Sequence, residues 1–276
     1  MDQKVAQTFI DELWTDSIVP ELIEYIKIPA KSPHFDADWA ANGYVEDAVQ
    51  QISKWCRNQD VKGMTLDIVR LEGRTPLIFM EIPAQGDGDP DDTILMYGHL
   101  DKQPEMTGWA DGLGPWTPVM KDGKLYGRGG ADDGYSAYSS LAAIMAVQKQ
   151  GLAHTRIVVI IEACEESGSY DLPHYIEHLE ERIGEPSLVI CLDSGAGNYE
   201  QLWLTVSLRG MAAGTLRVDV LSEGVHSGYA SGVVPSSFRV MQQLFSRLED
   251  QDSGKVLPDY FYADIPEQRL QQTQAM

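Results

Sequence analysis

Three apolar runs that each end in polar residues constrain the fold of this chain more than any other feature. They are TILMYGH at 93–99, RIVVIIEA at 156–163 and SLVICLD at 187–193. An apolar run without alternation is typical of a strand that is covered on both faces of a sheet. We therefore interpret these runs as central strands. Two further strands are predicted at 64–68 and 77–82.

Patterns with helical spacing lie before and between these strands. One apolar face is formed by Tyr138, Leu141, Ala142 and Met145. Another, within the first sixty residues, is formed by Val45, Val49, Ile52 and Cys56. Strands that alternate with helices predict an α/β fold, here a largely parallel mixed sheet with flanking helices. Ligands of such folds collect in the crevice beyond the carboxyl ends of the strands.

The pattern changes after about residue 202. Two strand-like runs, WLTVSLRG at 203–210 and AAGTLRVDVL at 212–221, precede a loop at 223–234. A helix is predicted from Pro235 to about Leu248. We therefore divide the chain into a domain at 1–202 and the beginning of a second domain at 203–276.

Composition narrows the classes of partner. The formal charge of -21 and the pI near 4.5 oppose binding to phosphate backbones and to anionic membranes, so nucleic acid and membrane partners are not expected. The three cysteines are odd in number and far apart, which fits a reducing compartment. The amino-terminal residues include acidic side chains and lack an apolar leader-like stretch. We expect a cytoplasmic protein.

The first strand end combines a histidine and a carboxylate. His99 and Asp101 are two residues apart, and a carboxylate at this spacing can accept the second N–H of the imidazole. The glycine-rich segment at 126–134 contains Asp132 and precedes a helix. It lacks the Lys and Ser/Thr of a phosphate-binding loop, and its acidic groups stand where an anion would bind. A cation is the better ligand for this segment.

The other strand ends supply more carboxylates. Glu165 and Glu166 follow the second apolar run, and Asp193 ends the third. Of two adjacent glutamates, one can hold a metal while the other takes a proton from a nearby water. The carboxyl ends of neighbouring parallel strands share one edge of a sheet, so these groups should meet there. Imidazole and carboxylates without a thiolate motif favour zinc, with manganese or cobalt as alternatives.

Four segments resemble the successive signature segments of M20 metallopeptidases, nearest the cytosolic nonspecific dipeptidase and carnosinase branch. They are MYGHLDKQPE, GKLYGRGGADD, EACEESGS and VICLDSG. The resemblance implies a zinc-exopeptidase-like catalytic domain followed by an α+β ferredoxin-like lid and dimerisation domain. It also implies two divalent metal ions and hydrolysis of the amide bond in dipeptides or short peptides.

The resemblance implies a role for each candidate residue. His99 and Asp193 would hold one metal ion. Glu166 would hold the second ion, and Asp132 would bridge the pair. Glu165 would be the general base in the attack of water on the amide.

Three further features follow from the same resemblance. Asp101 would orient the ligating imidazole, and the peptide bond Asp132–Asp133 would be cis. The segment VHSGYASG at 225–232 resembles the lid segment of the family. Its histidine, His226, would reach the active site of the other subunit and stabilise the oxyanion, which implies a homodimer.

Two departures from the family pattern keep alternatives open. Gly134 and Tyr135 stand where the family usually has Lys and Gly. The last metal ligand of the family is a histidine, which is expected beyond residue 276, so this part of the protein alone could be inactive. Besides a dipeptidase, the same site would suit an N-acyl amino acid deacylase or desuccinylase. A truncated homologue that binds metal without catalysis is the non-enzymatic alternative.

Overall fold

The computed structural model describes residues 1–274 of the chain. Contacts divide the chain into two units, Met1–Val206 and Ser207–Met276. Among the described residues, all strands lie in the first unit. No described helix combines the length and the apolarity that crossing a lipid bilayer requires.

The first unit contains seven α-helices and seven strands in its described residues. The helices are α1 (Gln3–Leu13), α2 (Val19–Lys27), α3 (Trp39–Asn42), α4 (Tyr44–Arg57), α5 (Ser136–Lys149), α6 (Leu172–His178) and α7 (Glu180–Ile183). The strands are β1 (Thr65–Val69), β2 (Leu77–Ile82), β3 (Thr93–His99), β4 (Val119–Lys121), β5 (Lys124–Tyr126), β6 (Arg156–Glu162) and β7 (Pro186–Cys191). The strands and helices predicted for this unit are therefore present.

Five strands form one sheet in the order β1-β2-β6-β3-β7, and β4 pairs with β5 in a hairpin. The pairs β1/β2 and β2/β6 are antiparallel, whereas β3 runs parallel to both β6 and β7. The predicted mixed sheet is confirmed, and its parallel part consists of the three runs that end in polar residues. Since β3 lies between β6 and β7, the carboxyl ends of these three strands meet at one edge.

Helices cover both faces of the sheet. On one face, α4 and α5 bury their apolar stripes, and all the residues predicted for these stripes are buried. On the other face, Tyr175 of α6, Ile183 of α7 and Leu179 between these helices pack against Phe79 and Ile160. Burial on both faces is the reason that β2 and β6 have nearly continuous apolar sequences.

The second unit contains α8 (Ser227–Ala230), α9 (Ser237–Phe245) and α10 (Glu267–Gln274). The helix predicted near 235–248 is α9. The strands predicted at 203–210 and 212–221 are wrong: in the described residues neither run forms a strand. A strand needs a neighbour to bind its backbone groups, and no described segment pairs with these runs. The domain boundary at 202/203 and the ferredoxin-like lid stay predictions.

Candidate metal centre

The end of one strand and three loops bring the predicted residues to the shared edge of β3, β6 and β7. His99 is the last residue of β3, Glu165 and Glu166 follow β6, and Asp193 follows β7. Asp132 lies in the glycine-rich loop before α5. His99 Nε2 is 3.2 Å from Asp132 Oδ1. The same nitrogen is 3.8 Å from Glu165 Oε2 and 3.8 Å from Asp193 Oδ2.

These side chains form two groups with the spacing of metal ligands. One group is His99, Asp132 and Glu166, and the other is His99, Glu165 and Asp193. In each group the ligand atoms all lie within 4.8 Å of one another. The structure thus brings together the five side chains that we selected from separate segments of the sequence, and the shared histidine links the two groups.

Asp101 ties the histidine to the turn that carries both glutamates. Its carboxylate is buried, and its two oxygens accept the backbone N–H groups of Glu165 at 3.1 Å and Glu166 at 3.0 Å. His99 Nδ1 lies 3.1 Å from the Asp101 carbonyl oxygen and 3.4 Å from Asp101 Oδ1. The sequence predicted only the contact of Asp101 with the His99 imidazole. The structure adds the two hydrogen bonds to the backbone of Glu165 and Glu166.

Asp133 is a second supporting carboxylate, and the sequence did not indicate its contacts. Its Oδ2 accepts the backbone N–H of His99 at 3.0 Å, and Ser136 Oγ donates to its carbonyl oxygen at 2.8 Å. The peptide bond Asp132–Asp133 is cis. Burial raises the pKa of Asp133 to about 8. A side chain at Gly98 would collide with Ser136 and with Asp133, so glycine allows this close approach.

Gln103 was missed by the sequence reasoning. Its Nε2 donates to Glu166 Oε2, which leaves Glu166 Oε1 buried and without a hydrogen-bond partner among the described residues. A signal existed in the sequence, because His99, Asp101 and Gln103 recur at every second residue. In a strand, every second side chain points to the same face, and this spacing continues from β3 past the end of the strand.

Comparison with known proteins places the chain in a family. Residues 95–253, more than half of the chain, match the peptidase family M20/M25/M40. The chain belongs to this family. The resemblance of its signature segments to M20 metallopeptidases is thereby confirmed.

Individual known proteins are similar to this chain over most of its length. Human Beta-Ala-His dipeptidase is 27% identical over 274 residues, which are 95% of this chain and 52% of that protein. The Cysteinylglycine-S-conjugate dipeptidase of Corynebacterium striatum is 27% identical over 239 residues, 86% of this chain and 50% of that protein. The chain spans about half the length of the curated relatives it matches.

A solved structure supports the fold. The di-peptidase Dug1p from Saccharomyces cerevisiae matches with a TM-score of 0.61 and 23% identity. The match covers 100% of this chain and 59% of that chain. The mixed sheet flanked by helices is therefore the fold of the M20 catalytic domain.

The electrostatics of the site in this M20 chain favour a cation. Burial by itself would lower the pKa of His99, yet hydrogen bonds to Asp101 and Asp132 raise it to about 11. Burial raises the pKa of Glu166 to about 7, and burial also raises that of Glu165. Several carboxylates share a small volume, so a divalent cation would relieve their repulsion. One imidazole and several carboxylates are a donor set that zinc, manganese and cobalt accept.

Two other positions were singled out from the sequence, His226 and Gly134. His226 is exposed in the second unit, where its Nδ1 accepts the backbone N–H of Gly228 at 3.0 Å. Its role in a partner subunit stays a prediction. At Gly134, an added Cβ would collide with the Tyr25 ring and lie 2.7 Å from the Gly129 carbonyl oxygen. This packing has no room for the lysine that the family usually has there.

Proposed function

We propose that this chain is the metal-binding part of an M20 dipeptidase that hydrolyses the amide bond of dipeptides or short peptides. The observation that carries the proposal is the convergence of His99 with four carboxylates at one edge of the sheet. The names of the relatives, a Beta-Ala-His dipeptidase and a Cysteinylglycine-S-conjugate dipeptidase, support the substrate class.

The donor set fits two divalent cations, for which zinc is our first choice. His99 presents only Nε2 to the acidic groups, because its Nδ1 faces Asp101. The imidazole can therefore hold one ion, whereas a carboxylate has two oxygens and can bridge two. We assign Asp193 to the ion of His99, Glu166 to the second ion, and Asp132 to the position between them. Bound cations would polarise the amide carbonyl and make a water more acidic.

Glu165 is our candidate general base. Its carboxylate is partly exposed, so water and substrate can reach it, and its pKa is raised above the usual range by burial. A higher pKa makes the carboxylate a better proton acceptor. Glu165 would accept a proton from the attacking water at a carboxylate oxygen and deliver it to the leaving nitrogen. Asp101 would hold the backbone of this residue in position through the bond to its N–H.

We also propose the larger assembly that the M20 resemblance implied. Residues 1–202 would belong to the catalytic domain, and 203–276 would begin a lid that forms a homodimer. His226 would then stabilise the oxyanion in the partner subunit. A cytoplasmic location is supported by the three free cysteines.

The roles of the acidic residues can be separated by metal content and turnover. In the full-length protein, we expect Glu165→Gln to retain zinc and lose dipeptide hydrolysis, whereas Asp132→Asn should lose zinc as well. Zinc is measured by mass spectrometry of the desalted protein. Hydrolysis is measured with a dipeptide panel beside N-acetyl and N-succinyl amino acids.

Glu177→Gln is a matched control, because Glu177 is exposed on α6. It should keep both the metal and the activity of the wild type. Hydrolysis of the acyl amino acids alone would replace the dipeptidase proposal with a deacylase. A full-length wild-type protein that binds zinc without cleaving either class would favour the non-catalytic alternative. Normal zinc content and normal turnover in Asp132→Asn would contradict the proposed site.

A further inference from the structure

Lys102 is the only lysine that is completely buried among the described residues. It directly follows Asp101 and lies three residues after His99, yet the proposed mechanism does not use it. Burying an amino group costs free energy unless its donors find acceptors, and an apolar side chain would fill the same space without that cost. The contacts of this amino group therefore indicate what the lysine is needed for.

The amino group binds the carboxyl end of α2. Lys102 Nζ donates to the carbonyl oxygens of Tyr25 and Ile28, both at 2.7 Å. The last carbonyl groups of a helix lack partners within the helix, so they need donors from elsewhere. Nζ also lies 3.7 Å from the centre of the Tyr25 ring. Burial lowers the pKa of Lys102 well below its ordinary value, but the amine and the ammonium both supply the two donors.

The aliphatic stem of Lys102 supports the glycine-rich loop. A Cβ added at Gly129 would lie 2.6 Å from Lys102 Cε and 2.8 Å from its Cδ, so the stem lies directly against the loop backbone. The carbonyl oxygen of Gly129 accepts the backbone N–H of Gly134 at 2.8 Å, and this bond closes the loop that carries Asp132. Lys102 therefore contacts this loop at its base.

Tyr25, which Lys102 holds, contacts the same loop and the end of β3. A side chain at Gly134 would collide with the Tyr25 ring. The hydroxyl group of Tyr25 donates to the Leu100 carbonyl oxygen at 2.6 Å, one residue after His99. The loop of Asp132 and the strand end of His99 thus rest on one tyrosine, and Lys102 fixes its backbone.

We propose that Lys102 is a positioning residue of the metal centre, which holds the loop of Asp132 against the strand end of His99. Its backbone continues from β3, while its stem and amino group contact the loop and α2. The separation of 3.2 Å between His99 Nε2 and Asp132 Oδ1 depends on this support. The inference rests on the proposed function, in which Asp132 lies between the two cations.

The rival explanation is that Lys102 only stabilises the end of α2. Its loss would then lower the free energy of unfolding without changing how a metal ion is held. A positioning role predicts a different result, because a displaced Asp132 changes the ligand geometry. Cobalt(II) reports such a change, since its visible absorption depends on the number and arrangement of its ligands.

The test uses the full-length protein with cobalt(II) as the probe. Lys102→Met keeps an apolar stem and removes both donors. We expect it to weaken cobalt binding roughly tenfold or more and to alter the visible absorption spectrum. Ile52→Ala is the control, because it opens a cavity in the buried face of α4, which carries no residue of the site. It should lower the urea midpoint of unfolding, keep cobalt affinity within about twofold of the wild type and leave the spectrum unchanged.

If Lys102→Met does not fold, a pair of glycine variants decides. Gly129→Ala presses a methyl group on Lys102, whose atoms would be the three nearest to the new Cβ. Gly73→Ala is the matched control, because Gly73 also has a positive φ, +72° against +86°, but open space around it. Only Gly129→Ala should weaken cobalt binding by roughly tenfold and alter the spectrum, and equal behaviour of the pair would refute the role.

Three results would overturn the inference: no cobalt binding by the wild type, wild-type affinity and spectrum in Lys102→Met, or a loss of affinity that Ile52→Ala matches without a spectral change. Dipeptide turnover of the wild type is measured separately. Turnover together with an unchanged cobalt site in Lys102→Met would remove this inference alone. A cobalt site that depends on Lys102 in a protein without turnover would remove only the proposed function.

Discussion

Replacing Asp101 by asparagine should loosen the turn that carries Glu165 and Glu166. The two carboxylate oxygens accept the backbone N–H groups of these residues at 3.1 and 3.0 Å, and Asp101 is completely buried. Asparagine has nearly the same shape but places an NH₂ group against one of the two N–H donors. One hydrogen bond is then lost, and the other loses its charged acceptor.

The expected magnitude follows from these two bonds. A hydrogen bond to a charged group contributes about 1.5–3 kcal/mol, and an unpaired buried donor adds a further cost. We therefore expect Asp101→Asn to lower the free energy of unfolding by about 2–4 kcal/mol. With a urea dependence of roughly 3 kcal/mol per molar, the midpoint of unfolding should fall by about 1 M.

Urea denaturation monitored by tryptophan fluorescence measures this change, with Asp60→Asn as the control. Asp60 is exposed, so the same exchange there should leave the midpoint within about 0.2 M of the wild type. Zinc affinity should also fall in Asp101→Asn, because the glutamates are no longer held in place. A midpoint equal to that of the control, with normal zinc affinity, would refute this account of Asp101.

Three further predictions address packing, protonation and assembly. Gly98→Ala should lower the free energy of unfolding by about 1–3 kcal/mol, because the added Cβ would lie 2.6 Å from Asp133 Oδ2. Thermal and urea unfolding equal to that of the wild type would contradict this prediction. Zinc affinity should rise with pH, because the raised pKa of His99, about 11, means that zinc must displace its proton. The slope of the logarithm of zinc affinity against pH gives the number of protons released on binding. This number should rise from roughly one to roughly two below about pH 7, where Glu166 is also protonated. Calorimetry that shows one constant slope between about pH 6 and 8 would contradict this prediction. If the proposed dimer and dipeptidase activity hold, mixing the inactive full-length variants Glu165→Gln and His226→Ala should restore part of the activity in mixed dimers. No recovery would exclude a contribution between subunits.

The sequence by itself determined which segments form the sheet and which side chains gather at its edge. The apolar runs that became β3, β6 and β7 could be recognised because continuous hydrophobicity reports burial on both faces. Their polar ends indicated His99, Glu165, Glu166 and Asp193, since parallel neighbours share an edge. Both signals are local, so they can be read without knowing how the chain is packed.

Only the tertiary structure decided how the site is supported. The hydrogen bonds between Asp101 and the glutamate turn, between Gln103 and Glu166 and between His99 and Asp133 join segments that are far apart in sequence. The strand order β1-β2-β6-β3-β7 could not be read from periodicity either. The strands predicted at 203–210 and 212–221 do not form in the described residues. A strand-like sequence indicates only that a segment can pair, whereas pairing itself requires a neighbouring strand. Hydrogen-bond partners and strand neighbours are selected by packing in three dimensions, and no local pattern encodes that selection.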